Sequence, residues 1–353
     1  MYTLDINLPH KNYNIYIERG LINSIGSEIS KIYKGRKIVI ITDENVDKYY
    51  GEKVSSILED SNFEVYKIVL NAGEKSKSIE VLMQVYEKLL KYGITRSDMM
   101  ITLGGGVIGD LGGFAASTLL RGIPFIQIPT SLLAQIDSSI GGKVAVDLPQ
   151  GKNLVGSFYH PEAVFIDPDL LNTLDKRFLY DGMGEVIKYG CIRDKKLFDK
   201  LLKFKNEEEL LHNIEEIIYC CCNIKKAVVE NDEKDTGERM ILNFGHTIGH
   251  AIETYYSFEK YTHGEAVAVG MYTITKNSER EGLTGIGITK ELKEILVKYN
   301  LPYEMPSVNK KAIEDIISLD KKSKGDTLNI ILLDEIGKCF IKNIKRDEIY
   351  KFL

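Results

Sequence analysis

Apolar, β-branched runs alternate with helical segments in the first part of the chain, up to about residue 160. Strands are predicted at 37–42, 63–70, 99–103 and 125–128, and a helix at 79–92. Strands that are separated by helices pair in parallel, because each crossover returns the chain to the same edge of the sheet. The sequence therefore predicts an α/β N-terminal domain with a parallel sheet.

A different pattern, of long helices, begins near residue 168. Helices are predicted at 182–189, 207–230, 239–253, 265–280 and 291–298, with a late strand pair at 328–333 and 338–344. We predict two domains, an α/β domain over residues 1–165 and a mainly α-helical domain over residues 166–353. The active site is expected in the cleft between them, and no internal repeat is evident.

Composition excludes several classes of protein. With 353 residues, of which 44% are hydrophobic, the chain can bury a large core. No apolar run reaches membrane-spanning length, and the N-terminus lacks a signal-peptide pattern, so a cytoplasmic protein without a membrane partner is expected. A net charge of −5 disfavours nucleic acid as the main partner. The five cysteines do not form a disulfide or zinc-binding pattern.

A polar, basic face is predicted on the helix at 239–253. At about 100° per residue, Arg239, Asn243, His246 and His250 fall within roughly 60° of one another. Another histidine, His263, opens the next apolar helix. Imidazole is the commonest metal ligand, and a catalytic zinc takes three protein ligands, so one carboxylate is missing from this set. The alternative is a helix with two well-satisfied histidines.

Glu185 could supply the missing carboxylate. It lies three residues before Lys188 on one face of a predicted helix, where a surface ion pair is the ordinary interpretation. The sharper hypothesis makes Glu185 a metal ligand.

A glycine-rich phosphate signal follows the predicted strand at 99–103. The run 104–110, which reads GGGVIGD, has the Gly-x-Gly-x-x-Gly spacing at the start of a helix, where bare amides can hold a pyrophosphate. A tight strand-to-helix turn would explain the same glycines. The acid of the usual dinucleotide fingerprint is missing about 20 residues on, but Asp43 ends another strand and could accept from a ribose hydroxyl. A nucleotide lying across several strand ends is favoured over a standard Rossmann half.

Polar residues and glycines are dense in 129–143 and 151–156, between the two predicted domains. Such a composition is typical of a cleft that binds an anion, and a solvated linker would use the same residues.

Seven motifs together carry a family resemblance, and they lie at 104–110, 137–143, 151–153, 184–190, 242–247, 249–253 and 263–267. The chain resembles the 3-dehydroquinate synthases, the sugar-phosphate cyclases of the shikimate pathway, from about Asp43 to Lys322. By that resemblance the fold is an α/β NAD-binding domain followed by a mainly helical domain that binds metal and substrate.

The resemblance also implies a set of site residues. A zinc or cobalt ion would be held by Glu185, His246 and His263. NAD would contact Asp43, Glu74, Lys77, Gly105, Gly106, Val107, Gly109, Asp110, Thr130, Ser131, Asp137, Lys143, Lys152 and Asn153. The heptulosonate phosphate substrate would meet Asp137, Lys143, Asn153, Lys188, Lys225, Arg239, Asn243, His250 and one lysine of the pair Lys321 and Lys322. Arg121 would reach across from the partner subunit of a homodimer.

The family reaction explains this inventory. NAD oxidises C5 of 3-deoxy-D-arabino-heptulosonate 7-phosphate, phosphate is eliminated, the ketone is reduced again, the ring opens and an aldol reaction closes the carbocycle. The substrate carries a carboxylate and a phosphate, which accounts for the cations Lys143, Lys188, Lys225 and Arg239. Alternatives are another sugar-phosphate cyclase, a metal-dependent NAD alcohol or glycerol dehydrogenase, and a non-catalytic NAD-binding protein.

This chain departs from the family pattern in three places. Val144 and Asp147 stand where the family usually has Thr and Asn, and Ser131 replaces a second Thr. Ser131 keeps the hydroxyl group, so these changes concern fine contacts rather than the reaction.

Overall fold

The structure is a computed structural model that describes residues 1–319 and 326–353. The chain forms two compact units, which comprise residues 1–175 with 214–234 and residues 176–213 with 235–353. The strands are β1 Tyr2–Asn7, β2 Asn12–Ile17, β3 Lys37–Asp43, β4 Glu64–Leu70, β5 Met99–Gly104, β6 Phe125–Pro129, β7 Lys143–Leu148, β8 Gly151–Phe158, β9 Ala163–Ile166, β10 Thr327–Glu335 and β11 Lys338–Lys345.

The α-helices include one very short helix, α2. They are α1 Ile25–Ile32, α2 Glu44–Val46, α3 Glu52–Asp60, α4 Ile79–Lys91, α5 Gly106–Thr118, α6 Lys176–Arg193, α7 Lys195–Lys203, α8 Glu207–His212, α9 Ile214–Asn231, α10 His246–Tyr255, α11 His263–Arg280, α12 Ile288–Lys298 and α13 Lys310–Leu319. The predicted order, an α/β part followed by a mainly helical part, is confirmed. None of the helices in the described ranges is long and apolar enough to cross a membrane.

A seven-stranded sheet forms the centre of the first unit, in the order β1-β2-β9-β6-β5-β3-β4. Only β1 and β2 pair antiparallel; the other neighbours are parallel. Side chains of β3 alternate between the two faces, because successive residues of a strand point to opposite sides. Ile38 and Ile40 pack with residues of α1 and α3, whereas Val39 and Ile41 pack with residues of α4 and α5.

The order of the strands indicates which edge of the sheet would bind a ligand. From β3 the chain crosses to β4 on one side, and then to β5 on the other side of β3. In open α/β sheets, ligands bind outside the carboxyl ends of the strands at such a reversal. Asp43, Gly104 and Pro129 end the neighbouring strands β3, β5 and β6 at this edge.

Helix α9 belongs to the first unit, although the sequence placed it in the second domain. It packs against β1, β2 and the π-helical turn Ala134–Ser138, with the Cys222 thiol 3.3 Å from the carbonyl oxygen of Gln135. The observed division also lies at 175 rather than at 165. An amphipathic helix shows that it has a buried face, but not which core that face joins.

A β-hairpin, formed by β7 and β8, occupies part of the polar segment of the sequence. The two strands pair antiparallel from Lys143 opposite Phe158 to Leu148 opposite Gly151. The segment is therefore ordered structure within the first unit, and the linker interpretation was wrong.

The predicted helix at 239–253 is broken into two pieces. A 3-10 helix covers Glu238–Asn243, and α10 begins at His246 after Gly245, which has a left-handed φ of 80°. A Cβ on Gly245 would lie 2.7 Å from the Val267 carbonyl oxygen, so only glycine fits this turn. The predicted helix at 207–230 is likewise divided, into α8 and α9 at Asn213.

Close helix packing organises the second unit. Helix α11 packs against α6, α10 and α12. A Cβ on Gly264 would lie 1.9 Å from the Asp181 carbonyl oxygen of α6, and one on Gly270 would lie 2.0 Å from the carbonyl oxygen of Gly245, which precedes α10. Glycines therefore let three backbones approach closely, and the residues that these helices carry come together.

Candidate active site

Three histidines of the second unit form a cluster. His246 and His250 lie on α10 and His263 begins α11, and one ring nitrogen of each lies within 4.8 Å of the others. The ring centroids are 5.2 to 5.8 Å apart. His246 and His250 are four residues apart, one helical turn, so both face the start of α11.

Glu185, on α6, completes this cluster. Its side chain is fully buried, and its Oε1 atom lies 3.5 Å from His246 Nε2 and 3.7 Å from His263 Nε2. The Lys188 ammonium group contacts Oε2, but within the described residues neither carboxylate oxygen has a hydrogen bond. A buried carboxylate is costly unless cations compensate it; Lys188 supplies one positive charge at Oε2, and Oε1 is left facing the two imidazoles. Two imidazoles and a carboxylate facing one point are the donor set that suits a divalent metal ion.

The other ring nitrogens determine how the histidines are presented. His246 Nδ1 lies 3.1 Å from the Phe244 carbonyl oxygen, and His263 Nδ1 lies 3.4 Å from Glu253 Oε2. A carbonyl or carboxylate oxygen accepts from the N–H group, so in the neutral form of each ring the Nε2 atom is left as an acceptor on the side of Glu185. Glu253 was not predicted as a site residue, although it lies on the same helix as His250.

The surroundings shift the pKa values of the two histidines in opposite directions. Burial, followed by the charges of Lys188 and the other histidines, lowers the pKa of His246 well below its ordinary value. For His263, burial also acts to lower the pKa, but the carboxylates of Glu253 and Glu185 outweigh it and raise the pKa to about 9. In the metal-free protein, His246 is therefore a neutral ligand, whereas His263 holds a proton that a metal ion must displace.

Asp181 fixes the start of α11 from the facing helix. Its Oδ1 atom accepts hydrogen bonds from the backbone amides of Gly264 and Glu265, and burial raises the pKa of its carboxyl group. Thr262 and Glu265 form a capping box at the same helix end. Sequence reasoning missed Asp181, because its role depends on the contact between α6 and α11.

Two predicted substrate-binding cations of the second unit are buried. Arg239 is 2% exposed and Lys188 is 1% exposed, with the Lys188 ammonium 4.9 Å from the Tyr189 ring centroid. Arg239 and Asn243 lie on the 3-10 helix rather than on the helix of His246. Lys321 and Lys322 lie outside the described residues.

The carboxyl edge of the sheet gathers the predicted nucleotide residues of the first unit. Gly105 precedes α5, which carries Gly106, Val107 and Gly109 in its first turns, and no side chain caps this helix within the described part of the chain. Thr130 and Ser131 follow β6, and a Cβ on Gly105 would lie 3.5 Å from Ser131 Oγ. An uncapped helix N-terminus with an approachable glycine backbone suits an anionic group.

Asp43 has a local role as well as the predicted one. Its Oδ1 atom accepts from the amides of Asn45 and Val46 and caps the short helix α2. Burial raises the pKa of this carboxyl group, although the two amides act against the shift. Oδ2 makes no hydrogen bond to a described residue, so it is the oxygen that could accept from a ribose hydroxyl.

A buried lysine links several other predicted residues. Lys77 Nζ donates to Asp110 Oδ2 and to Asn153 Oδ1, both at 2.5 Å. Asn153 has a left-handed φ of 56°, and its amide donates to Asp147 Oδ1 at 2.7 Å. Asp147, one of the departures from the family pattern, therefore shapes the turn that presents Asn153 to Lys77.

Three further contacts place the remaining residues of the first unit. Lys152 Nζ lies 3.4 Å from Glu74 Oε1. Lys225 Nζ, on α9, donates to both the carbonyl oxygen and Oδ1 of Asp137, at 2.6 and 2.9 Å. Lys143 is exposed at the start of β7.

Arg121 lies in a strained, exposed turn. Leu120, Arg121 and Gly122 have φ values of 52°, 69° and 123°, which are all left-handed. Its guanidinium makes no ion pair with a described residue. A side chain held outward in this way is available to a second molecule.

Two family descriptions together match most of the chain. The family description "3-dehydroquinate synthase N-terminal" matches residues 67–181, and "3-dehydroquinate synthase C-terminal" matches residues 182–323. The chain is 61% identical to a 3-dehydroquinate synthase of Clostridium acetobutylicum over 353 residues, which is 100% of this chain and 99% of that protein. It is 60% identical to a 3-dehydroquinate synthase of Clostridium botulinum over 343 residues, or 97% of this chain and 98% of that protein.

A solved structure gives the same architecture. The structure of a 2-deoxy-scyllo-inosose synthase complexed with carbaglucose-6-phosphate, NAD+ and Co2+ matches with a TM-score of 0.87 and 27% identity. The match covers 99% of each chain.

Proposed function

Because the chain belongs to the 3-dehydroquinate synthase family, we propose that it uses NAD and a zinc or cobalt ion to convert 3-deoxy-D-arabino-heptulosonate 7-phosphate to 3-dehydroquinate and phosphate. The reaction makes it a phosphate-eliminating carbon–oxygen lyase in the synthesis of aromatic amino acids. The similar inosose synthase was solved with NAD+ and Co2+, which supports the same pair of cofactors here.

One observation carries the metal assignment. Glu185 is fully buried, its oxygens have no hydrogen bond to a described residue apart from the Lys188 ion pair, and Oε1 faces the Nε2 atoms of His246 and His263 at 3.5 and 3.7 Å. These three side chains would hold the ion, and His250 would contact a substrate hydroxyl beside it. A bound zinc or cobalt ion lowers the pKa of the hydroxyl group that it binds and orients that group.

NAD would lie on the carboxyl edge of the sheet. The uncapped start of α5 is suited to the pyrophosphate, and Asp43 to a ribose hydroxyl. Bound NAD supplies a hydride acceptor for C5 of the substrate and, once reduced, returns the hydride. The Lys77, Asp110 and Asn153 group would hold the cofactor side of the site rigid, since Lys77 joins the other two.

Basic residues would hold the two anionic ends of the substrate. Lys188 and Arg239 are buried in the second unit, where Lys188 contacts Glu185, whereas Lys143 and Lys225 belong to the first unit. Arginine can bind a carboxylate or phosphate with two parallel hydrogen bonds, and lysine acts as a point charge. Holding the intermediate at both ends through several steps favours a cyclase over a dehydrogenase, which needs no such anchoring.

The assembly would be a cytoplasmic homodimer. The exposed Arg121, with no ion pair to a described residue of its own chain, would reach the phosphate of the partner's substrate. In a two-fold dimer the interface uses the same surface of both subunits, so each subunit would offer its Arg121 to the other.

The test follows the cofactor and phosphate together. With NAD well below substrate and with Zn²⁺ present, we expect phosphate release to continue for many turnovers without lasting NADH. The matched variant Glu185→Gln keeps the shape of the side chain but removes its charge, so it should lose both bound zinc and phosphate release. NADH that accumulates in step with substrate loss, without phosphate, would instead identify a dehydrogenase. Parallel assays with other sugar phosphates distinguish another cyclase.

A further inference from the structure

A glycine turn connects two of the substrate-binding residues of the first unit. Asp137 lies in the π-helical turn Ala134–Ser138, and Lys143 is the first residue of β7, five residues after Ser138. Between them, Gly141 and Gly142 have left-handed φ values of 91° and 66°. The direction in which Lys143 leaves this turn therefore depends on what holds the two glycines.

His160 packs directly against the turn. A Cβ on Gly142 would lie 2.7 Å from the Cε1 and Nδ1 atoms of its ring, which is 6% exposed. The neighbouring Tyr159 amide donates to the Gly142 carbonyl oxygen at 2.7 Å. The His160 ring also stacks on Tyr13, with 5.7 Å between the ring centroids, and the Tyr13 hydroxyl accepts from the Gly141 amide at 3.3 Å. Both glycines are thus contacted by one aromatic pair.

Glu233 fixes the orientation of the ring. His160 Nε2 lies 3.1 Å from Glu233 Oε1, where an N–H group donates to an ionised carboxylate. Burial acts to raise the pKa of Glu233, but His160 and Lys234 outweigh it, so the pKa is lowered and the carboxylate stays charged. Glu233 follows the end of α9, the helix that carries Lys225.

We propose that His160, held by Glu233, is a positioning residue that sets Lys143 relative to the Asp137 and Lys225 pair. The contact chain runs from α9 through Glu233 and His160 to the turn before Lys143. His160 does not itself touch a reacting group. The inference rests on the proposed function, because it gives Lys143 a role in binding the substrate.

The experiment is a double-mutant cycle on kcat/KM for phosphate release with the NAD- and zinc-loaded enzyme. The variants are His160→Ala, His160→Gln, Lys143→Arg and the double variant His160→Ala with Lys143→Arg. Displacing a substrate-holding residue by about 1 Å can cost on the order of 100-fold in rate. We expect His160→Ala to lower kcat/KM by about 10-fold, because the backbone limits the displacement. His160→Gln should restore most of the activity, since its amide can donate to Glu233. The exposed His10→Ala is the matched control and should leave activity unchanged.

Coupling distinguishes positioning from general stability. If His160 acts through Lys143, the double variant should lose much less than the product of the two single losses. A loss equal to that product, or equal damage from His160→Gln and His160→Ala, would overturn the proposal. If His160→Ala fails to fold, Glu233→Ala replaces it in the same cycle with the same criteria, because that side chain is partly exposed. Failure of the unsubstituted enzyme to release phosphate would refute the proposed function instead.

Discussion

Replacing Glu253 by Gln tests how the metal ligands are held. The Glu253 carboxylate is 2% exposed, and its Oε2 atom lies 3.4 Å from His263 Nδ1. The carboxylate can only accept, so it keeps the proton on Nδ1 and directs Nε2 towards Glu185. A glutamine has the same shape, but its amide can also donate, which would stabilise the opposite tautomer. The substitution therefore changes the presentation of one ligand without removing a ligand.

The expected cost can be bounded from the geometry. Loss of a partner that orients a metal ligand typically lowers metal affinity by about 10- to 100-fold, or roughly 1.4 to 2.7 kcal/mol. We expect a value towards the lower end for Glu253→Gln, because the contact to His263 is long. The Phe244 carbonyl oxygen continues to orient His246, since a side-chain substitution does not remove it.

The loss of zinc affinity in Glu253→Gln should depend on pH in a defined direction. Glu253 helps to raise the pKa of His263 to about 9, so at pH 7 zinc must displace a proton from the unsubstituted protein. Its zinc affinity should therefore rise between pH 7 and pH 9. In Glu253→Gln the His263 pKa falls and this proton competition weakens. The affinity difference between the two proteins should thus be larger at pH 9 than at pH 7.

Competition with a zinc-binding chelator dye measures this affinity at both pH values. Glu281→Gln, an exposed substitution that follows the end of α11, is the matched control and should bind zinc like the unsubstituted protein. An unchanged zinc affinity of Glu253→Gln at both pH values would refute the orienting role. Complete loss of zinc would indicate that Glu253 is itself a ligand.

Three other experiments test separate parts of the proposed structure and function. Lys77→Met leaves the Asp110 carboxylate without its counter-charge. Chemical denaturation should therefore show that the free energy of unfolding falls by about 3 kcal/mol, and calorimetry should show weaker NAD binding. Unchanged values for both quantities would contradict this role of Lys77. Mixing inactive Arg121→Ala and inactive Lys143→Ala proteins should restore activity through hybrid dimers, and no recovery under proven subunit exchange would place Arg121 in its own subunit. Glu279 accepts from two backbone amides at the start of α12, and these outweigh burial and lower its pKa. Glu279→Gln should therefore cost about 1 kcal/mol of unfolding free energy at pH 7. This difference is fully present above the ordinary pKa of 4.5 and should disappear as the pH falls below it, and an equal difference at pH 3 would contradict the assignment.

The spacing of apolar residues along the sequence predicted the strands and helices that bury an apolar face. Strands β3, β5 and β6 were identified because their runs are mostly apolar, as strands buried on both faces require, whereas the run of the edge strand β4 also holds Glu64 and Lys67. Residue types indicated His246, His250, His263 and Glu185 as metal candidates, because a catalytic zinc takes such ligands, and the family resemblance implied the set of Glu185, His246 and His263. The structure brings these three side chains together.

Contacts that depend on tertiary packing were not predictable in this way. The break at Gly245 arises from the close approach of α11, and nothing in the apolar period of 239–253 indicates it. The same holds for Asp181, which caps α11 from another helix. The β7–β8 hairpin was missed since its polar residues and glycines resemble a loop, and pairing partners are not visible in the sequence.

The fate of the hydrogen at C5 of the substrate decides whether the enzyme is a cyclase or a dehydrogenase. We would prepare heptulosonate phosphate with deuterium at C5 and follow the reaction by mass spectrometry, with unlabelled NAD in excess. If one active site removes the hydride and returns it to the same carbon, the carbocyclic product should retain the deuterium and the recovered nicotinamide should remain unlabelled. Deuterium that accumulates on the nicotinamide, with an unlabelled or ketonic sugar product, would contradict the account and identify net oxidation.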